Sequence, residues 1–599
     1  MPDSLPPKET LPTLIRRALA DDRSEVVVER VNRSWTPTSS QRMLTRVLDV
    51  ACAIRAAGLQ QGDRVALIAH DCIDWIVADF ATLFAGCVVV PIYPTQALDH
   101  TAYILQHSEA KLLFVDAAAT LERLRSGNMT VPQCVVFDGV GDGSLAAFEA
   151  RGAAIRVAHP ELPGEYERDL RPDDLAVLIY TSGTTGVPKG VMLSHDNLGF
   201  DAQSALQYGM EGEHEGENVL SVLPYSHIYE HTMIYIYLLE KVRYNICHDP
   251  NDLLTDMQDV RPSYMTSVPR IFERILAGVE GKAMKHGGLQ ARLVPWAMRV
   301  GRDYMAAKTF GPPPSPMLAL QYAIAKRLVF DKLRALLGLD RVRHLTSGSA
   351  KLHTDIAMTF LAMGVPIMQG YGLTETSPVI STSKLEANEY GAVGKPIPGC
   401  EVRIAPDGEV LARGRNIMQG YYRDPEATAQ ALADGWFHTG DIGEIDAGGY
   451  LHITDRKKEI FKTATGKYVS PARVETEIKR SIFVAQAMVV GDGRAYPVAL
   501  IVPTWDLLRS ELNLPAISPE ELARRDDVRA FVAAEVRKQT ADLASYEQVR
   551  YVIVLPREFS VESGELSPSM KIKRRVVEDR YQHLIDELYS TEQRAHSHA

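Results

Sequence analysis

The residues most able to do chemistry in this 599-residue chain lie in one run, Tyr180-Thr181-Ser182-Gly183-Thr184-Thr185-Gly186-Val187-Pro188-Lys189-Gly190. Its composition suits a polyphosphate. Glycines let backbone amides approach phosphate oxygens, the Ser and Thr hydroxyls add neutral donors, and Lys189 adds a mobile cation. A Walker loop ends in Gly-Lys-Ser/Thr, whereas here Pro188 precedes the lysine and Gly190 follows it, so this is a different device. A flexible linker would need no buried strand before it. Leu175-Ala176-Val177-Leu178-Ile179 reads as such a strand, predicted to leave the loop at a solvent-facing sheet edge.

Three further sites of chemistry follow. Arg343 to Ala350 reads as a strand entering a tight turn at Gly348, Ser349 and Ala350. Val365 to Gln369 leads into Gly370-Tyr371-Gly372-Leu373-Thr374-Glu375-Thr376, an aromatic ring, hydroxyls and a carboxylate at a strand end, where ligands bind in open α/β sheets. Tyr371 is suited to cover a purine, and Glu375 to hold Mg²⁺, which takes carboxylate oxygens alongside substrate phosphates; alone, Glu375 also fits a surface position. Asp441, in Gly435-Trp436-Phe437-His438-Thr439-Gly440-Asp441, is the sugar candidate, because a carboxylate past a strand accepts from both ribose hydroxyls. His227 closes Leu220 to His227, and by itself fits a core histidine at least as well as a site residue. The tyrosine-rich apolar run Ile228 to Leu239 reads as plain core or as the wall of a pocket for an apolar substrate.

The elements that must position these groups alternate. Gln41 to Ala57 is a predicted helix closed by Gly58, Val65 to Ala69 a strand, Asp74 to Ala85 a helix, and Cys87 to Val90 a strand. Ala110 to Val115 and Cys134 to Asp138 continue the pattern. Short all-apolar strands between helices predict parallel sheets covered on both faces. From Gly391 the text becomes turn-rich and strand-like, predicting a small β subdomain over 394–454. Asp455-Arg456-Lys457-Lys458-Glu459 marks the expected boundary and hinge at 455, between an N-terminal domain (1–454) and a smaller mobile α+β domain (455–599) with strands near 487–491 and 499–502 and a helix from Glu520 to Thr540.

Composition narrows the class. The chain is 46% apolar and 24% charged, as in ordinary globular proteins, and too long for one core. A net charge of −11 argues against nucleic acid as a partner. Six cysteines without ligand spacing fit a reducing, cytoplasmic setting, and no run is suited to spanning a bilayer. One region departs from the acidic whole: 270–343 carries fourteen Lys/Arg against five Asp/Glu. It reads as a solvated helical surface or as a peripheral contact with an anionic membrane, at the inner face. Nothing in the sequence sets an oligomeric state.

Together these residues resemble the AMP-forming acyl-CoA synthetases of the adenylate-forming superfamily. The resemblance rests on an ordered set covering nearly the whole chain: YTSGTTGVPKG, LPYSH, YGLTETSP, GWFHTGD, DRKKEIFKTATGKYVSP and a C-terminal lysine segment. Asp434 through Glu475 is similar to the fatty acyl-CoA synthetase signature, and Leu566-Ser567-Pro568-Ser569-Met570-Lys571 to that of long-chain members. The resemblance implies ATP, Mg²⁺ and CoA, and a fatty acid carried through acyl-AMP to acyl-CoA. It implies that Thr181, Ser182, Gly183, Thr184, Thr185, Gly186 and Lys189 hold phosphates, and that Gly348, Ser349, Ala350, Tyr371 and Gly372 frame adenine. Thr374 then meets the α-phosphate, Glu375 the metal, and Asp441 with Arg456 the ribose. Lys571 bridges α-phosphate and carboxylate, Gly466 borders the CoA channel, and His227 lies near the acyl pocket. The chain departs from the family in having Met570 rather than Gly before the lysine, with Lys573 two residues on. It also has Tyr229 and His231 where some long-chain enzymes carry a gating tryptophan. Two other readings compete: an acyl- or aryl-AMP ligase loading a carrier protein, and a non-catalytic lipid-binding scaffold.

Overall fold

The computed structural model describes residues 5–127, 129–182, 187–209, 215–561, 563–567 and 571–597, with the side chains of Ser182 and 591–597 left aside. Two large sheets carry the N-terminal region. In the first, Val88–Ile92, Arg64–Ile68, Leu112–Val115 and Gln133–Val136 lie parallel, with Leu175–Ser182 beside Val88–Ile92. Strands Val88–Ile92 and Leu112–Val115 are buried at every residue, which is why they read as unbroken apolar runs and not as alternation. In the second, Ile367–Tyr371, His344–Ser347, Tyr264–Ser267, Asn218–Ser221, Arg243–Ile246 and Val27–Val31 lie parallel, with short antiparallel strands at both edges.

Helices fill the space between. Ile73–Phe84 and His195–Gly209 each touch strands of both sheets, and Ile228–Leu239 packs on His195–Gly209 and on the strand Arg243–Ile246. Ile73–Phe84 is buried at almost every position, so its sequence lacks a polar face. Ser40–Ala56 lies further out. Ser39 caps it, accepting from the Arg42 amide at 3.2 Å, and it buries Met43, Val47, Val50, Ala51 and Ile54 at helical spacing.

A four-stranded antiparallel sheet follows, ordered Cys400–Ile404, Glu409–Gly414, Phe437–Ile445 and Leu451–Arg456. Its strands lie within residues 400–456. Asp455 and Arg456 are still residues of its last strand, opposite Ile442 and Asp441. The remaining chain has its own core around Val484–Val490, Val498–Pro503 and Tyr551–Val554, a small sheet backed by helices. The helix expected from Glu520 to Thr540 is two helices, Pro519–Leu522 and Asp526–Thr540; Arg525 between them is extended, which starts the second afresh.

The hydroxyl-glycine run also differs from expectation. It does not leave a terminal strand: Leu175–Ser182 and Pro188–Ser194 are the arms of an antiparallel pair, and Thr181 and Lys189 face each other across it. Strand residues therefore include Thr181 and Ser182, whose polar side chains make them read as loop.

Candidate functional site

The arms of that pair deliver Lys189. Its ammonium lies 5.0 Å from the centre of the Tyr421 ring and 3.8 Å from the Asp424 carboxylate. Tyr421 sits on the edge strand Gly420–Tyr421, paired with Pro188–Ser194, and its hydroxyl donates to Glu375 Oε1 at 2.9 Å. One aromatic side chain thus connects the proposed phosphate cation to the proposed metal ligand. Sequence reading passed over Tyr421; the only local trace is the aromatic pair Tyr421-Tyr422 in a glycine-bounded turn. Gly183 to Gly186 lie outside the described residues.

Glu375 sits in the short helical turn Thr374–Thr376, just past the strand Ile367–Tyr371, and is half-buried. The Met418 amide donates to its carbonyl at 2.9 Å, fixing the turn. Tyr421 occupies one carboxylate oxygen, and no group among the described residues bonds the other. No cluster of three His, Cys, Asp or Glu side chains suited to a metal occurs among the described residues. A single carboxylate with a free oxygen fits Mg²⁺, which keeps waters and shares substrate phosphates instead of filling an all-protein cage. Gly372 has no room for a side chain: a Cβ there would meet the Pro378 carbonyl oxygen at 1.7 Å.

Beside this turn Tyr371, Asp441 and Arg456 form one unit. The Tyr371 hydroxyl donates to Asp441 Oδ2 at 2.8 Å, and Arg456 Nε lies 3.2 Å from Oδ1. The strand pairing that sets Asp441 opposite Arg456 makes this contact. Burial raises the Asp441 carboxyl above the usual range, against the pull of Arg456, Tyr371 and Lys571.

Lys571 enters from the C-terminal region. Its amide donates to Ser567 Oγ at 3.1 Å, and a backbone bridge joins Leu566 to Ile572. The side chain keeps contact with cleft solvent, yet protein crowds around the ammonium, and this desolvation lowers its pKa from the ordinary 10.5; Arg456 acts the same way, while Asp441, Glu375 and Glu459 oppose. Behind it, Arg574 binds Glu459 at 3.0 Å and Glu475 at 2.6 Å, locking the lysine segment to both ends of the 459–475 stretch. Arg574 is another residue the sequence reading did not single out.

His227 is half-buried and caps the helix Ile228–Leu239, its Nδ1 accepting from the Tyr229 amide at 3.1 Å. A ring nitrogen that accepts carries no proton, so the proton is on Nε2. Burial, and then the charge of Lys571, press its pKa down to about 3, so it stays neutral. The helix it begins is buried almost throughout. Polar residues within it are partnered from the core: Glu230 accepts from Ser221 and Tyr244, each at 2.7 Å, and His231 lies 3.1 Å from Asp79. Tyr229 differs, because its buried hydroxyl has no partner among the described residues, and its ring packs where a Cβ at Gly348 would lie, 2.6 Å away. Next to it Ser349 takes a left-handed φ of +66°.

The structure thus brings together Thr181, Lys189, Tyr371, Glu375, Asp441, Arg456, Lys571 and His227. It does not bring Gly466 to them. That glycine, at φ +81°, turns the hairpin Phe461–Lys462 and Tyr468–Val469, whose described contacts are with the C-terminal region's own residues such as Arg494.

Comparison with known proteins gives a consistent answer. The AMP-binding enzyme family matches residues 16–422, and the AMP-binding enzyme C-terminal domain matches residues 458–593. Long-chain-fatty-acid–CoA ligase FadD15 of Mycobacterium bovis is 35% identical over 582 residues, 96% of each chain. Long chain acyl-CoA synthetase 7, peroxisomal, of Arabidopsis thaliana is 33% identical, over 89% of this chain and 79% of the plant protein. In fold, the adenylation domain of a carboxylate reductase from Mycobacterium chelonae superposes with a TM-score of 0.75 at 23% identity, over 98% of this chain and 92% of that one.

Proposed function

The chain belongs to the AMP-binding enzyme family, and from that premise we propose that it is a fatty acid–CoA ligase acting on long-chain acids. The acid's carboxylate attacks the α-phosphorus of ATP, and pyrophosphate leaves with the electron pair of the bridging bond. The CoA thiol, having lost its proton, then attacks the acyl carbonyl of acyl-AMP to form the thioester, and AMP leaves. The observation that carries this reading is the convergence of Lys571, from the C-terminal region, on the Glu375 and Asp441 carboxylates beside His227. Two anions must meet in the first step, and a preorganised cation offsets the charge gathering on phosphorus.

In this reading Thr181 to Lys189 hold the β- and γ-phosphates, and Gly348 to Ala350 with Tyr371 and Gly372 frame the adenine. Asp441 and Arg456 take the ribose, Thr374 the α-phosphate, and neutral His227 turns its Nε2–H toward the acyl carboxylate. When bound, Mg²⁺ on Glu375 neutralises phosphate charge. Residues 455–599 form a lid that turns near Asp455, withdrawing Lys571 and bringing Gly466 to the CoA channel. Long acyl chains are favoured because each buried methylene contributes about 0.8 kcal/mol. Region 270–343 rests on an anionic membrane surface, the phase in which such acids dissolve.

The test is a panel of carboxylates from acetate to palmitate and aromatic acids, with ATP, Mg²⁺ and CoA, following pyrophosphate, AMP and thioester. Acyl-CoA formation that rises with chain length is expected. Acyl-AMP accumulating without thioester would reject CoA as acceptor and favour a carrier protein. No acid-dependent pyrophosphate release would reject the enzyme reading.

A further inference from the structure

Neighbouring parallel strands Tyr264–Ser267 and His344–Ser347 are joined by a connection that is far longer than a crossover needs. One helix suffices to return a chain to the same end of a sheet. Here helices Pro269–His286, Gly288–Phe310, Pro316–Ala325 and Asp331–Leu336 intervene. The first two bury part of their surface against the core: Phe272 packs edge-on to Phe360, and Met298 and Val300 are buried. The third is different.

Pro316–Ala325 starts at Ser315, which caps it by accepting from the Leu318 amide at 3.2 Å, and runs through the wider turn Lys326–Phe330 into Asp331–Leu336. Its inner side is anchored. Tyr322 stacks on Tyr304 with ring centres 4.2 Å apart and donates to the Ala362 carbonyl at 3.0 Å, while Ala325, Val329 and Phe330 are buried. Its outer side carries Met317, Leu320, Ile324 and Leu328, exposed by 64%, 58%, 43% and 45%. Steps of three, four and four residues put all four on one stripe. A soluble surface scatters such residues singly, whereas a contiguous exposed apolar stripe marks a docking site. Arg327 and Lys332 are exposed beside it, without an ion-pair partner among the described residues, and Lys326 pairs only with Asp331 at 3.0 Å. These cations sit within the region that carries fourteen Lys/Arg against five Asp/Glu in a chain of net charge −11.

We propose that the Met317, Leu320, Ile324 and Leu328 face enters the headgroup boundary of an anionic lipid bilayer, with Arg327 and Lys332 meeting lipid phosphates. An amphipathic helix with an apolar stripe and basic flanks lies in such an interface and is held by both terms. The assignment deepens the peripheral-contact reading above and is independent of the chemistry assigned to the site. The insertion that bears the stripe ends at the strand leading to Gly348, so the docked face and the candidate site share one crossover.

The test is co-sedimentation of the full chain with phosphatidylglycerol and with phosphatidylcholine vesicles, at low and high salt, alongside sedimentation velocity without lipid. The native chain is expected to bind the anionic vesicles and to release in salt. Leu320→Ser with Ile324→Ser should weaken binding by about tenfold or more, and Arg327→Glu or Lys332→Glu by about fivefold each or more. Turnover of a short, water-soluble acid should be unchanged in all of these variants, which shows that they fold. If the native chain binds neither vesicle, the peripheral-contact reading fails. If it binds and the serine variant binds as well, contact exists but this face is not the one. If the native chain is a dimer that the serine variant dissociates, the stripe is a contact between copies and the lipid assignment is overturned.

Discussion

Asp441 and Lys571 reach the same cleft by opposite means. Asp441 belongs to the nine-residue strand Phe437–Ile445, paired on both sides, and its carboxylate is held by Tyr371 at 2.8 Å and Arg456 at 3.2 Å. Lys571 is tied to Ser567, whose Oγ accepts from its amide at 3.1 Å, next to the bridge from Leu566 to Ile572. Among the contacts of the C-terminal region with the N-terminal one are pairs at the surface: Arg270 with Glu558 at 2.6 Å, Arg480 with Asp355 at 3.3 Å and Lys285 with Asp506 at 3.8 Å. Such exposed pairs contribute only about 0–1 kcal/mol each. The acidic half of the site is thus held from both sides by its own sheet, whereas the cation comes from the region proposed to turn as a lid. A two-step reaction that needs the cation in only one step suits that division.

Removing the cation breaks the comparison most severely. Lys571→Ala is expected to lower adenylation by about a hundredfold or more, as for loss of a preorganised charge. It should leave conversion of supplied acyl-AMP to acyl-CoA near the native rate. An equal loss in both half-reactions, or the selective loss appearing in Lys573→Ala instead, would refute the assignment.

The next effect is on pH. In the proposed reaction Lys571 acts as a cation, and its pKa is lowered, so charge is lost as pH rises through a value below the ordinary 10.5. Adenylation should show an alkaline limb below that value, and Lys571→Arg, whatever its absolute rate, should lack the limb because a guanidinium keeps its charge. Neutral His227, with its pKa near 3, should contribute no acid limb above about pH 5; a limb near pH 6 that disappears in His227→Gln would contradict this.

The smallest effect probes the fixed half. Tyr421→Phe removes the hydrogen bond to Glu375 while keeping the ring beneath Lys189. The apparent requirement for Mg²⁺ should rise by about tenfold, the usual consequence of losing a partner that orients a metal ligand. An unchanged Mg²⁺ titration would show that Glu375 needs no such support.

Much of this was legible in the chain. The all-apolar run Cys87 to Val90 announces a strand buried on both faces, found at Val88–Ile92, and the ordered motifs single out Thr181, Glu375, Asp441 and Lys571 as one set. What was not legible depends on contacts remote in sequence. Tyr421 meets Glu375 across 46 residues and Arg574 meets Glu475 across 99, and neither residue type implies its partner. Thr181 and Ser182 look like loop because their hydroxyls outweigh the strand signal, although pairing with Pro188–Ser194 makes them strand. The tyrosine-rich helix Ile228–Leu239 read equally as core or pocket wall, because composition reports burial and does not report what does the burying.

The missing side chain at Gly348 has one more consequence. Tyr229 fills the space a Cβ would need, with no slack between the ring and the strand end that is proposed to frame adenine. An acyl group that pressed this ring toward Gly348 would displace that strand end as well, so acid and nucleotide are expected to read each other's presence. Thermodynamic linkage makes the coupling reciprocal: whatever factor the nucleotide applies to the affinity for the acid, the acid applies to the affinity for the nucleotide. Acid affinities measured with and without a non-reactive AMP analogue would give that factor, and a value of one would show the ring and the strand moving independently. Gly348→Ala, which wedges the two apart, should change the coupling more than it changes either affinity alone.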